Sequence, residues 1–146
     1  LTLRVAYSSI FIPVTATRAR AWIYSATGGT ISGAYAAKAK ASSQGFVIDF
    51  AATGVPLKVG GSSSFSLIAG VPVLSDWFDA SSLAGFAFVL TAQFSSGVVT
   101  LMANSTSNPN WGTYYKSGAD AAAATTSGYA TNSVPLAGFM RVDAEF

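Results

Sequence analysis

Half of the 146 residues are Ala, Ser, Gly or Thr, and only 14 are charged, eight Lys/Arg against six Asp/Glu, with no His and no Cys. This composition excludes a Ser-His-Asp or Cys-His nucleophile, a disulfide framework and an ordinary structural zinc site. With 51% hydrophobic and 13% aromatic residues, the chain can bury enough apolar surface to offset its conformational entropy, so strong disorder is excluded too.

Short β-type runs separated by Gly, Pro, Ser and Asn clusters recur along the chain. Leu1, Leu3, Val5 and Tyr7 alternate with Thr2, Arg4 and Ala6, the period-two signature of a half-buried strand. Ser8 to Val14 is more continuously apolar. Arg18, Arg20, Trp22 and Tyr24 then alternate with Ala19, Ala21 and Ile23, and Gly28-Gly29 reads as the turn of a hairpin to the next run. Ala34 to Ala41 suits either a helix, by alanine propensity, or an exposed strand.

Phe46 to Phe50 reads as a short buried strand that Gly54-Val55-Pro56 breaks. Leu57 to Val59 follows, and then Gly60-Gly61 before a serine run. Phe65, Leu67 and Ala69 alternate with Ser64, Ser66 and Ile68, and Val71 to Leu74 stops at Ser75-Asp76. Phe86, Phe88 and Leu90 alternate with Ala87, Val89 and Thr91, and Val98 to Ala103 forms a hairpin-like partner across Ser95-Ser96-Gly97. Ala119 to Ala124 is a one- or two-turn helix candidate, and Val134 to Phe146 a last strand closing on two acids. Many short strands with turn signals every 8–12 residues predict one all-β domain over residues 1–146, a jelly-roll-like β-sandwich.

Few motifs carry chemistry. Asp76 and Asp79 sit three apart in Ser-Asp-Trp-Phe-Asp. A calcium site there would need six or more oxygens, and a glycosidase pair would need two inward carboxylates. The simpler reading is a turn in which each Asp accepts from local backbone N–H groups. Gly60-Gly61-Ser62-Ser63-Ser64 lacks the Gly-Lys-Ser/Thr ending of a phosphate loop and precedes a strand pattern. Asn104-Ser105-Thr106 fits a glycosylation sequon, as matches in so Ser/Thr-rich a chain do by chance. No metal, cofactor or catalytic residue is assigned.

The aromatic residues are more informative. Asn108-Pro109-Asn110-Trp111-Gly112-Thr113-Tyr114-Tyr115 reads as a turn-rich loop carrying three rings. Trp111, Tyr114 and Tyr115 are candidate glycan or interface contacts, because such rings stack on sugars and are enriched at interfaces. Trp22 and Trp77 read as core or interface anchors.

Charge is unevenly placed. Residues 1–48 hold Arg4, Arg18, Arg20, Lys38 and Lys40 and no acid; residues 49–146 hold Lys58, Lys116 and Arg141 against six acids. The cations never form the dense run that phosphate binding favours, so no nucleic acid is expected. Two readings of the imbalance remain: solvated strand faces, or basic and acidic faces that meet between successive subunits. No stretch reaches the ~18–20 apolar residues of a membrane span, so no membrane insertion is expected.

The central segments carry a family resemblance. Pro56-Leu57-Lys58-Val59-Gly60-Gly61-Ser62, Phe65-Ser66-Leu67-Ile68-Ala69-Gly70 and Val73-Leu74-Ser75-Asp76 resemble the β-sandwich module that precedes SGNH/GDSL-type hydrolase domains and occurs in phage and bacterial surface proteins. Leu3 to Ser9 is similar to that module's first strand, and Ala84 to Phe88 to the strand after its Ser-Asp turn. The hydrolase's Gly-Asp-Ser block is absent and its Asp-x-x-His block cannot exist without His, so activity does not carry over. The resemblance implies a non-catalytic sandwich used for attachment or assembly. The expectation is therefore a non-enzymatic structural or adhesive subunit of an extracellular assembly, on a virion or extracellular surface. A phage decoration or tail-associated protein comes first. A filament or pilus subunit assembling by strand exchange, or a carbohydrate-binding module, is the alternative. The expected partners are copies of itself or other virion or appendage subunits, and a surface glycan.

Overall fold

A computed structural model of the chain describes residues 2–7, 12–40, 49–96, 111–116, 122, 127, 130–131 and 137–145. The strands are β1 (Thr2–Tyr7), β2 (Arg18–Ser25), β3 (Gly29–Lys38), β4 (Val55–Pro56), β5 (Phe65–Leu67) and β6 (Val73–Leu74); β4 corrects the expectation that Gly54-Val55-Pro56 only breaks a strand, because Val55 and Pro56 pair with Ala36 and Tyr35 of β3. They continue as β7 (Phe78–Asp79), β8 (Phe88–Ser96), β9 (Trp111–Lys116), β10 (Ala130–Thr131) and β11 (Ala137–Glu145). Among the described residues there is no helix, and hence none long and apolar enough to cross a membrane. Ala34 lies within β3: its Ala-rich run packs between neighbouring strands, and that tertiary pairing overrides alanine's helical propensity.

Two antiparallel sheets form a β-sandwich. The larger runs β10-β9-β1-β8-β3-β4, with β5 also on β3; the smaller runs β11-β2-β6, with β7 also on β2. Ala19, Ala21 and Ile23 of β2 are fully buried while Arg18, Arg20, Trp22 and Tyr24 are not. The alternation therefore turns one side of β2 inward and the other toward solvent. Facing it across the core are Ile31, Ala34 and Ala36 of β3 and Phe88, Leu90, Ala92 and Phe94 of β8, with Phe65 and Leu67 of β5. Each large side chain buried here contributes roughly 1.5–3 kcal/mol of hydrophobic stabilisation.

β8 is covered on both faces. Val89 and Thr91, on the side away from the sandwich core, are as inaccessible as Leu90. Val89 packs with Ala37 and Phe50 in a second small cluster. Phe50 is brought there by a bridge to Ala39 and by the Ala51 N–H donating to the Lys38 carbonyl at 2.9 Å.

The turn at Gly28-Gly29 corrects the hairpin expectation. Gly28 and Gly29 take φ of 75° and 132°, but β2 and β3 lie in different sheets. The turn is an arch that carries the chain across the core, because the apolar sides of both strands must face the same interior. β1 is likewise an interior strand, paired with β8 on one side and β9 on the other. Within the expected strands, Phe86 lies outside β8 and is exposed, as is Ala69 beyond β5. The expected runs at Phe46 to Ile48 and Val98 to Ala103, the helix candidate apart from Ala122, and Asn104-Ser105-Thr106 lie outside the described residues.

Candidate functional site

The solvent side of the small sheet gathers charge and aromatic surface. On β2, Arg18, Arg20, Trp22 and Tyr24 share that side. β11 runs antiparallel beside it with Glu145 opposite Arg18, Asp143 opposite Arg20 and Arg141 opposite Trp22; the register shifts once, between Phe139 and Arg141. On the other flank Asp79 of β7 is opposite Arg18, and Leu74 of β6 is opposite Trp22. Between β6 and β7 the chain leaves the ladder, and buried Ser75 closes the gap: its N–H donates to the Ala21 carbonyl and its Oγ accepts from the Ala21 N–H, both at 2.9 Å.

This register decides the electrostatics. Arg18 Nη2 donates to Glu145 Oε1 at 2.7 Å, and Arg20 Nε to Asp143 Oδ2 at 3.3 Å. The same Asp143 oxygen accepts from Trp22 Nε1 at 3.0 Å. Hydrogen bonding from Arg18 holds the Glu145 carboxyl below its ordinary range, and the reciprocal bond raises the Arg18 guanidinium. The Arg18–Glu145 pair is solvent-exposed on both sides, so water and salt screen it and it adds little to stability. Asp143 is less accessible, with 14% of its side chain exposed, and it ties two donors to one strand.

Trp77 lies against the two arginines. The Arg20 guanidinium carbon is 4.5 Å from the ring centroid and that of Arg18 is 5.0 Å, both within cation–π range. Trp77 still has 36% of its surface exposed, so of the two expected roles, core or interface anchor, the core one does not hold.

The two aspartates beside Trp77 have structural work. Asp76 accepts from Gly60 N–H at 3.0 Å and from Gly61 N–H at 2.7 Å, pinning the tight turn closed by Val59 and Ser62. The Gly60-Gly61-Ser62 segment is thus a hairpin tip. Asp79 accepts from both the backbone N–H and the hydroxyl of Ser81, at 2.8 and 2.6 Å. Those bonds, the hydroxyl's first, hold its carboxyl below the ordinary range. Asp79 makes the local turn that its sequence predicts, whereas Asp76 reaches across to a turn 15 and 16 residues earlier.

The structure places Trp111, Tyr114 and Tyr115 on β9, correcting the expectation of a loop; Asn108, Pro109 and Asn110 lie outside the described residues. Pairing on both flanks, with β1 and β10, draws Trp111 to Lys116 into extended backbone. Trp111 falls on the register row of Tyr7 and Phe88, Tyr115 on that of Leu3 and Ala92, and Tyr114 on that of Arg4 and Thr91. The three positions are therefore split between rows of opposite parity, Trp111 with Tyr115 and Tyr114 apart. The β2–β11 face was only half visible in the sequence. Arg-x-Arg-x-Trp-x-Tyr declares one outward side, and Asp143-x-Glu145 has the same two-residue spacing, but nothing local says that they are neighbours. The chain matches no protein-family model and no curated protein sequence.

Proposed function

We propose that the chain is a non-enzymatic structural or adhesive subunit of an extracellular assembly, on a virion or extracellular surface, with a phage decoration or tail-associated component as the first reading. The observation that carries it is the way this sandwich uses its few charges. Arg18 and Arg20, two of the five cations before position 49, are held by Glu145 and Asp143 of the same chain. This weakens the idea that basic and acidic faces of successive subunits attract one another. It leaves neighbours to meet through uncharged surface at small electrostatic cost. Such surface is present at the turns, where Val14 is 78% and Ile68 67% exposed. The resemblance to sandwich modules of phage and bacterial surface proteins supports the same reading.

Filament assembly by strand exchange is the second reading. β1, the strand expected to be donated, is hydrogen-bonded on both flanks within its own chain, which favours contacts through faces and turns over donation of the first strand. Mass photometry with negative-stain microscopy of gently purified native protein tests the proposal. A repeated assembly, with contacts burying more than about 1,000 Å² each, is the expected result. A stable monomer of 14.9 kDa at physiological salt, with no native assembly, overturns it.

A further inference from the structure

We infer that the solvent side of the small sheet, centred on Trp77, is a binding site for neutral oligosaccharide. The inference supplies a ligand class for the adhesive role proposed above. It rests on that reading only in calling the contact adhesive; the binding itself does not require assembly.

Placement comes first. The chain has eight Lys/Arg and six Asp/Glu in all, yet Arg18, Arg20, Asp79, Asp143 and Glu145 occupy this one side of one four-stranded sheet. Two of the three tryptophans, Trp22 and Trp77, accompany them. A merely solvated face needs charge for hydration but has no use for an indole whose surface is 36% exposed. Exposed large aromatics among hydrogen-bonding groups mark contact surfaces.

Charge narrows the ligand class. Arg18 and Arg20 are each closed by a carboxylate at 2.7 or 3.3 Å; by register Arg141 is a third cation on this side and Asp79 a third acid, so the formal charges balance. The face therefore offers no uncompensated positive field for a phosphate, a sulfated glycan or a nucleic acid. What it offers is an apolar ring beside fixed donors and acceptors. A pyranose fits this combination. Its C–H faces pack on an indole, and each hydroxyl both donates and accepts, so it can use a guanidinium and a carboxylate together.

The site is also ordered in advance. Arg18 and Arg20 are each held between Trp77 and an acid on β11, and Trp22 is fixed through its Nε1 bond to Asp143. Side chains already held in place lose less rotamer freedom on binding, which matters most for a weak ligand with few contacts.

The test uses the native chain with a panel of neutral oligosaccharides (β-glucans, mannans, galactans and N-acetylglucosamine oligomers) and sulfated counterparts, read by the three indole N–H resonances in NMR titration. The expected result is saturable binding of at least one neutral oligosaccharide that shifts the Trp77 indole signal. Trp77→Ala should weaken that binding by at least about tenfold, while Trp111→Ala leaves it unchanged. If Trp77→Ala fails to fold, the wild-type Trp77 resonance still decides: an unshifted signal in the presence of bound sugar overturns the site. No binding to any neutral oligosaccharide at about 10 mM also overturns it. So does binding restricted to sulfated sugars and lost in salt, or binding removed by Trp111→Ala alone. None of these outcomes bears on mass photometry of the sugar-free protein, so the site and the assembly reading fail separately.

Discussion

Arg20 and Asp143 stand 123 positions apart in the chain and meet across β2 and β11, Nε to Oδ2 at 3.3 Å. The same carboxylate oxygen takes the Trp22 indole N–H at 3.0 Å. One side chain on the last strand thus fixes both a cation and an aromatic ring on the second. With 14% of its side chain exposed, Asp143 is the best-shielded acid of the cluster and the one whose loss is felt most.

Asp143→Ala leaves two donors without their acceptor. The expected cost is about 1.5–3 kcal/mol, the range for a hydrogen bond to a charged group. Asp143→Asn, which keeps a side-chain acceptor for Trp22 and loses the charge, should cost less. Urea unfolding with matched slopes measures both. Equal loss in the two variants would assign the effect to charge alone.

Acid should weaken the fold in a defined window. The carboxyls of Glu145 and Asp79 are both depressed in the folded state, by Arg18 and by Ser81 respectively. Their contribution is complete above the unfolded carboxylate range, near pH ~4, and is lost as pH falls through the lower folded values. Tm should therefore decline below about pH 4, on the same carboxylate reference. In Arg18→Ala the Glu145 midpoint, followed by NMR, should rise toward its ordinary value, and the Asp79 midpoint should not move.

Two glycines with similar backbone angles should respond differently to alanine. Gly28 and Gly60 have φ of 75° and 57°, so each substitution carries the left-handed penalty of roughly 1–2 kcal/mol. A Cβ on Gly60 meets nothing within 4 Å, whereas one on Gly28 would lie 2.9 Å from the Leu67 carbonyl oxygen. Gly28→Ala must therefore also displace backbone at the arch between the sheets. Thermal denaturation should show a larger drop for Gly28→Ala than for Gly60→Ala.

Thr91→Val should stabilise the protein. Among the described residues, the Thr91 hydroxyl is fully buried and makes no hydrogen bond. An unsatisfied buried polar group costs about 1–3 kcal/mol, and valine replaces it with a methyl of similar shape. A gain of about 1 kcal/mol in chemical denaturation is expected on that basis. A loss of similar size would mean that the hydroxyl has a partner.

Period two locates β1, β2, β5 and β8, but not β4, β9 or β10. The split of Ala19, Ala21 and Ile23 from Arg18, Arg20, Trp22 and Tyr24 could be read directly, because successive side chains on a strand must point to opposite faces. The two-glycine tip at Gly60-Gly61 was equally plain, since positive φ favours glycine. The absence of His and Cys had already removed whole classes of chemistry.

Local pattern stops at the choice of neighbour. Alternation says which residues of a strand share a side, but it is silent on which strand lies beside it. That choice depends on closing two sheets over one core. Only the tertiary structure made Gly28-Gly29 an arch, drew Trp111 to Lys116 into the sheet beside β1, and covered β8 on both faces. It also turned a chain with bases early and acids late into paired charges on one surface, because β2 and β11 are antiparallel neighbours whose side chains are in register. The sequence by itself determined the alternation of β1, β2, β5 and β8 and the two-glycine tip at Gly60-Gly61. The pairing that places Trp77, Arg20 and Asp143 together was decided by long-range burial, which no window of adjacent residues contains.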